Sequence, residues 1–322
     1  MRPLTTTLVL IGILGATAGA TDAARQLHIS EAKALDVPLF PFYGIPVSDS
    51  EGDLFFHLGG DLYTNATIMR LDHSSWKPSL YKLPSEVQQA KYLFYHFTVT
   101  PSGEVWMLAN AGPDLLVVSF ESDGQESAAT KLDLSLLDVD IMDFAALDNG
   151  SLLLAGVTVG KDAGRPFAAL FDGGTGKSIR NLTNAYPRVD DKDEKAKLHA
   201  GNASVGDDGN IYLLHESEII VISAGGEIVN RISFKRPGHD LIPTSVRVSS
   251  GYAAVWLRTP PREDHRFDVT YEVVDLSDGK TVGWYQPPAE IRMSAMGFSR
   301  SDGFRFLVAK DGHLNLVEAN LR

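Results

Sequence analysis

Short apolar stretches separated by glycine-containing turns recur along most of the chain. Each unit has an apolar stretch, a turn with one glycine, and a second, more strongly apolar stretch. The turn glycines are Gly52, Gly103, Gly150, Gly209, Gly251 and Gly303, spaced 42 to 59 residues apart. Asp-Gly and Asn-Gly between apolar stretches indicate β-hairpins, because these turns require positive φ angles. The pattern predicts an internal repeat of short antiparallel strands.

Each unit then continues into a third and a fourth apolar stretch. In the second unit, for example, Leu115–Phe120 precedes a turn at Gly124, and Ala129–Leu134 follows it. No segment carries helical periodicity long enough for alternating strands and helices. Six repeats of four short strands predict an all-β fold, a six-bladed β-propeller of four-stranded antiparallel blades.

The two ends of the chain predict how the ring closes. The last unit supplies only three strands, Met296–Phe298, Phe304–Ala309 and His313–Glu318, before the chain ends. Near the start, Arg25–Ala32 alternates apolar and polar residues and has no partner of its own. We expect this N-terminal strand to join the C-terminal blade, which removes an exposed sheet edge. An open repeat array and two stacked sandwiches are the alternatives.

The first twenty residues have the pattern of a secretory signal peptide. A basic residue, Arg2, precedes the apolar stretch Leu8–Leu14, and Ala18-Gly19-Ala20 forms a small-residue cleavage site. The apolar stretch is too short to span a bilayer, and no later one is long enough. We therefore expect a signal peptide at 1–20, a single propeller domain at 21–322 that is not inserted in a membrane, and a secreted or periplasmic location. A buried first strand or helix is the alternative.

Composition narrows the function classes. The formal net charge is −12 and the chain has no basic run, so we expect no nucleic-acid partner. The absence of cysteine excludes thiol catalysis, Cys-ligated zinc and iron–sulfur clusters. Gly174-Thr175-Gly176-Lys177-Ser178 ends like a phosphate-binding loop, but it lacks the required upstream glycine and a following helix. We interpret this segment as a turn.

The repeated sequence pattern of apolar strands and glycine turns resembles that of a known group of proteins. Pro101-Ser102-Gly103-Glu104-Val105-Trp106 and Asp208-Gly209-Asn210-Ile211-Tyr212 show it best. In these segments the chain resembles secreted six-bladed propellers of the NHL and SMP-30-like (TolB-like) group. The resemblance implies a fold, whereas function depends on the residues of a site.

The lengths of the connections predict which end of the propeller carries a ligand site. The first and third turns of each unit are short, whereas the long connections all fall at the other end. These long connections are Gly156–Pro166, Asn184–His199, Arg236–Ile242 and Thr259–Phe267. Long loops on a rigid scaffold are the usual place for binding, so we expect the ligand at this long-loop face.

Aligning the inner strands by their last apolar residue identifies candidate residues near the channel mouth. Three positions before that apolar residue, the second to fifth units have His96, Asp143, Asn202 and Ser245, respectively. His199 lies just before Asn202. Imidazole, carboxylate and amide groups coordinate divalent cations, so His96, Asp143 and Asn202 are candidate ligands of Ca²⁺ or another divalent cation. The predicted ligand-binding residues are His96, Asp143, His199, Asn202 and Ser245.

The resemblance both supports and weakens the metal interpretation. Propellers resembling the SMP-30 lactonases place metal ligands at this level, but the position of their first-blade glutamate is Gly44 here. In the alternative interpretation, His96, Asp143 and Asn202 satisfy backbone groups and water in a wet channel. The leading hypothesis is a binding or scaffold module for a protein, peptide or glycan. A metal-dependent, lactonase-like hydrolase or lyase and a structural module of an envelope complex are the alternatives.

Overall fold

The structure is a computed structural model, and every element in its described part is a β-strand. It describes residues 24–38, 42–58, 67–82, 96–111, 114–121, 123–134, 139–159, 166–182, 203–235, 240–260, 267–288, 291, 297–299 and 303–321. The predicted signal peptide, His199, Asn202 and most of the long connections lie outside these ranges. Within the described part, no helix has the length and hydropathy needed to cross a membrane.

The strands form six sheets that follow the six predicted repeats. Blade 1 contains β3 (Phe42–Ser48), β4 (Leu54–Leu58), β5 (Thr67–Leu71) and β6 (Pro78–Lys82). Blade 2 contains β7 (His96–Val99), β8 (Val105–Ala111), β9 (Asp114–Phe120) and β10 (Glu126–Lys131). Blade 3 contains β11 (Val139–Ala146), β12 (Ser151–Thr158), β13 (Pro166–Asp172) and β14 (Ser178–Asn181).

The second half of the ring repeats this order. Blade 4 contains β15 (Ala203–Val205), β16 (Ile211–His215), β17 (Glu218–Ile222) and β18 (Ile228–Ser233). Blade 5 contains β19 (Ile242–Ser249), β20 (Tyr252–Arg258), β21 (Val269–Asp275) and β22 (Thr281–Gln286), with β1 (Arg25–Gln26) added at its outer edge. Blade 6 contains β23 (Gly297–Ser299), β24 (Gly303–Lys310), β25 (His313–Asn320) and β2 (His28–Pro38).

These sheets confirm the prediction of an all-β propeller with six blades of four antiparallel strands. Within each blade, consecutive strands pair antiparallel, and the inner strands of successive blades lie against one another. Buried apolar clusters fill the space between neighbouring blades. The first strand of every blade therefore faces the central channel, which places the predicted site residues of these strands around one axis.

The N-terminal strand closes the ring as predicted. β2 pairs antiparallel with β25, with Ala34 opposite Asn315. The closing strand lies further along the chain than the predicted Arg25–Ala32, because Arg25 and Gln26 pair in parallel with β22 of blade 5. The backbone N–H of Leu27 also donates to the carbonyl oxygen of Gln286 at 2.9 Å. The N-terminal segment thus joins blades 5 and 6.

Aromatic packing reinforces this joint between blades 5 and 6. The ring centroids of Tyr271 and Phe304 lie 4.5 Å apart, and Phe306 packs edge-on against Tyr271 at 6.0 Å. Leu27, which is 2% exposed, belongs to the same cluster. Each fully buried apolar side chain stabilises the fold by roughly 1.5–3 kcal/mol. The closure therefore combines backbone pairing with burial of apolar side chains.

A recurring turn joins the third and fourth strands of several blades. In blade 3, the Oδ1 atom of Asp172 accepts hydrogen bonds from the backbone N–H (2.7 Å) and hydroxyl (2.9 Å) of Thr175. Gly176 has a φ of 69°, and its N–H donates to the Asp172 carbonyl oxygen at 2.7 Å. The segment that resembles the end of a phosphate-binding loop is therefore a hairpin turn followed by β14, as the sequence indicates.

Candidate functional site

Three of the predicted site residues lie at one level of the central channel. His96 pairs with Leu108, Asp143 with Ala155, and Ser245 with Trp256. In each blade the second-strand partner follows the turn by the same number of residues, so the three residues occupy equivalent positions. Asp143 is 4% exposed and Ser245 1% exposed. We call this level of the ring the polar level. Its predicted metal-binding role remains a prediction.

Two imidazoles meet at the polar level between blades 1 and 2. The ring of His96 bonds to the backbone of Ile141, and burial lowers its pKa more than that bond and the charge of Asp140 raise it. His57 lies on β4 at the position that Leu108 occupies on β8. Burial lowers the pKa of His57, and the nearby charge of His96 lowers it further. Both rings are therefore neutral at pH 7.

Arg247 lies on the same inner strand as Ser245, two residues nearer the short-turn end. Its Nη1 atom donates to the Val246 carbonyl oxygen at 2.8 Å, and its guanidinium carbon lies 5.3 Å from the centroid of the Trp256 ring. Burial lowers the pKa of Arg247, but the charge of Asp143 opposes that shift. Since an arginine remains protonated in proteins, the channel holds a permanent positive charge.

The electrostatic interaction between Arg247 and Asp143 links two blades that are not adjacent. Asp143 belongs to blade 3 and Arg247 to blade 5, with blade 4 between them. Neither Arg247 nor His57 is among the residues predicted from the sequence. A usable signal existed for Arg247, which stands between two valines in an inner strand where an apolar or small residue is the usual choice. His57 similarly occupies a second-strand position that packing normally fills with an apolar residue.

The described residues of the polar level are poorly suited to Ca²⁺. Ca²⁺ prefers six to eight oxygen ligands, with carboxylates prominent. Here the charge of Asp143 interacts with that of Arg247, the ring of His96 bonds to the backbone of Ile141, and Ser245 offers a neutral hydroxyl. The positive charge of Arg247 opposes a second cation at this level. Asn202, the third predicted ligand, lies outside the described residues.

A second cluster of polar groups lies at the opposite, short-turn end of blade 1. Asp53 is fully buried and accepts hydrogen bonds from Arg70 Nε at 2.6 Å, from the backbone N–H of His73 at 2.7 Å, and from His73 Nδ1 at 2.9 Å. Burial raises the pKa of Asp53, but these hydrogen bonds outweigh it, so its pKa lies below the ordinary value. The carboxylate is therefore ionised and fully engaged by the protein.

The same cluster contains a geometry that can hold a metal ion. One ligand atom each from Glu51, Asp53 and His73 lies within 4.8 Å of the others. Arg70 already forms an ion pair with Asp53, so a cation here would have to compete with a guanidinium. The triad therefore has ligand atoms at suitable spacing, but its central carboxylate already pairs with Arg70.

Comparison with known proteins identifies the fold class. No family model matches the chain, and no curated protein matches it in sequence. Among solved structures, the chain is similar to a calcium-binding regucalcin from Agrobacterium tumefaciens, at 13% identity and a TM-score of 0.50, covering 93% of this chain and 97% of that one. A gluconolactonase from Xanthomonas campestris gives 12% identity and a TM-score of 0.50, covering 93% and 96%.

A third structure, a member of the DUF4221 family from Bacteroides vulgatus, gives 11% identity and a TM-score of 0.60, covering 92% of this chain and 98% of that one. The chain is thus a six-bladed β-propeller whose structural neighbours include lactonase-like propellers, which confirms the resemblance noted from sequence. At these identities the likeness establishes the fold alone, so the function has to be argued from this chain's own residues.

Proposed function

We propose that this protein is an exported, non-catalytic binding propeller that recognises a protein, peptide or glycan through its long-loop face. The observation that carries the proposal is the polar level: His96, Asp143 and Ser245 stand at one level of blades 2, 3 and 5, two residues from the level of the charged Arg247. A rigid ring that presents different polar groups toward one axis is suited to orienting a ligand. Export rests on the N-terminal sequence pattern.

The rim of the long-loop face supports the same proposal. Phe267, at the long-loop end of blade 5, is 44% exposed. The guanidinium carbon of Arg258 lies 5.6 Å from the centroid of its ring. Exposed aromatic residues and arginines are enriched where proteins bind other molecules. The aromatic side chain therefore offers a contact surface beside the channel, where the polar level offers hydrogen bonds.

The described residues favour binding over metal-dependent hydrolysis because Arg247 places its charge where a catalytic cation would need carboxylates. We expect a tenfold molar excess of Ca²⁺ to leave the melting temperature unchanged, since no binding energy is gained. Differential scanning calorimetry with added Ca²⁺ and with EDTA checks this prediction. A rise of several degrees, lost in the variant Asp143→Asn and kept in Glu51→Gln, would establish a metal site in the channel and contradict the proposal.

A screen of glycan and peptide arrays tests the binding role itself. We expect a ligand whose binding weakens at least tenfold in His96→Ala, because a lost hydrogen bond in a buried site costs about 1–3 kcal/mol. The matched control is Glu104→Gln, which changes an exposed residue of the same blade at the short-turn end. If Glu104→Gln weakens binding and His96→Ala does not, the ligand lies on the other face and the proposal is wrong.

A further inference from the structure

Arg247 is a single charged residue at its level of the ring. Strand pairing aligns it with one residue in each of the other five blades. In every blade, the aligned residue lies on the first strand, two positions before the residue that forms the last backbone pair at the turn. The five equivalent residues are Val47, Thr98, Ala145, Ser204 and Gly297. All five are uncharged and most are small, which leaves room for one long side chain in the channel.

The guanidinium retains capacity for hydrogen bonding. Arginine carries five N–H donors, and Nη1 uses one of them on the carbonyl oxygen of Val246. The Nε atom is buried and has no hydrogen-bond partner within the described part of the chain. Stacking on Trp256 holds the planar group in one orientation. A fixed fork of donors with an unused N–H is the arrangement that proteins use to bind a planar anion.

The local charge distribution selects the kind of anion. The charge of Asp143 acts on Arg247 from two blades away, so the site carries one positive and one negative group. Asp143 repels a dianion such as phosphate about twice as strongly as it repels a carboxylate, which carries a single charge and also fits the guanidinium fork. Asp143, as a carboxylate, accepts hydrogen bonds from donors next to the ligand's own carboxylate.

We infer that the channel binds an organic carboxylate that also carries hydroxyl or amino donors, with Arg247 holding its carboxylate and Asp143 receiving its donors. The inference rests on the proposed binding function and names the chemistry of its ligand. Arg247 lies two residues deeper than the polar level, or about 7 Å along the strand. The ligand therefore enters carboxylate first from the long-loop face and leaves its remaining groups beside His96 and Ser245.

Calorimetric titration of the full-length protein tests this inference. The probes are glucuronate and glutamate, which represent a sugar and an amino-acid source of the carboxylate, and glucose, which lacks it. We expect at least one carboxylate to bind and glucose to bind at least tenfold more weakly, because hydrogen bonds to charged groups contribute more than neutral ones. Which carboxylate binds more tightly identifies the ligand source.

Two variants assign the effect to the guanidinium. Arg247→Met keeps the length of the side chain and removes its charge, and we expect at least a tenfold loss of affinity for the carboxylate. Arg247→Lys keeps the charge without the fork, and we expect an intermediate affinity. The control is Arg231→Met on the outer strand of blade 4, which removes an exposed ion pair with Glu218. Unchanged carboxylate affinity in Arg247→Met overturns the inference.

A second measurement does not depend on whether Arg247→Met folds. In protein with ¹⁵N-labelled arginine, the buried Nε–H of Arg247 should give a resonance that shifts on addition of the carboxylate and does not shift with glucose. If the resonance shifts with neither the carboxylate nor glucose, the inference is overturned. If an uncharged ligand from the arrays binds, and its binding depends on His96 but not on Arg247, the carboxylate inference is wrong and the proposed binding function stands. If no array ligand binds at all, the proposed function fails as well.

Discussion

Replacing Asp53 with alanine is expected to lower the free energy of unfolding by about 3–5 kcal/mol, the usual effect of removing one partner of a buried ion pair. The carboxylate is fully buried and joins Arg70 on β5 to His73 in the turn that follows. Its loss leaves the guanidinium of Arg70, which is only 22% exposed, without its carboxylate. Urea denaturation followed by circular dichroism measures the change.

The control for Asp53 is an ion pair at the surface. Asp114 and Lys131 lie 2.6 Å apart, and both side chains are more than a third exposed. We expect Asp114→Ala to change the free energy of unfolding by less than about 1 kcal/mol. The double variant Asp53→Ala/Arg70→Met should recover part of the lost stability, because it removes the uncompensated charge. Equal effects of Asp53→Ala and Asp114→Ala would contradict the importance assigned to this network.

Replacing Glu272 with glutamine is expected to stabilise the protein at pH 8 by up to about 3 kcal/mol. Glu272 lies on β21, is 0% exposed, and accepts a hydrogen bond from the hydroxyl of Thr281 at 2.5 Å. Its second oxygen, Oε2, forms no hydrogen bond of good geometry with a described residue, although the indole of Trp284 is close enough to lower its pKa. Burial raises the pKa of Glu272 from 4.5 to about 7, more than Thr281 and Trp284 lower it.

The raised pKa fixes the direction of the pH dependence. The folded protein keeps the proton on Glu272 up to about pH 7, whereas the unfolded chain releases it near pH 4.5. Stability from this group is therefore complete below pH 4.5 and is lost as the pH rises to 7, at about 1.4 kcal/mol per pH unit. Glutamine stays neutral and still accepts the hydrogen bond of Thr281, so the variant does not suffer this loss.

Urea denaturation at pH 5 and at pH 8 tests the role of Glu272. We expect the difference in stability between these two pH values to become smaller in Glu272→Gln than in the original protein. The control Glu227→Gln changes an exposed glutamate in a turn of blade 4, and it should leave the pH dependence unaltered. If Glu272→Gln destabilises the protein equally at both pH values, the carboxyl group is not neutral in the folded state.

The sequence was sufficient to predict the fold because the signals that define it are local. Glycine at the turns and alternating apolar stretches specify each hairpin without reference to the rest of the chain. The exact start of the closing strand was not predictable. Arg25 and Gln26 are both polar and exposed, and whether they pair with blade 5 or blade 6 depends on how the two blades pack.

The site was predicted only in part, because the inner strands contain irregularities that shift the pairing register. Counting back from each turn placed His96, Asp143 and Ser245 at one level. The pairing register shifts between Ile141 and Asp143 and between Pro243 and Ser245. Such irregularities change the strand register, and they leave no clear mark in the sequence. The position of Arg247 between two valines is a signal in the sequence, but its packing on Trp256 and its interaction with the charge of Asp143 appear only in the structure.

The buried network of Asp53 shows a second limit of sequence reasoning. Its members stand at positions 53, 70 and 73, on the two sides of a hairpin whose strands hold them together. In sequence they are an aspartate in one turn and two basic residues near the next, which is an ordinary surface pattern. Full burial of the carboxylate depends on packing around the turn and cannot be read from composition or spacing.

The central claim is that the chain forms a closed ring of six blades, in which Asp143 of blade 3 and Arg247 of blade 5 border the same channel. Because the protein contains no cysteine, an engineered disulfide across the closure tests it directly. Ala34→Cys with Asn315→Cys joins opposed residues of β2 and β25, and we expect complete oxidation without loss of the folded state. Ala34→Cys with Glu318→Cys is three residues out of register and should remain reduced. Equal oxidation of both pairs, or none of either, would contradict the closed ring.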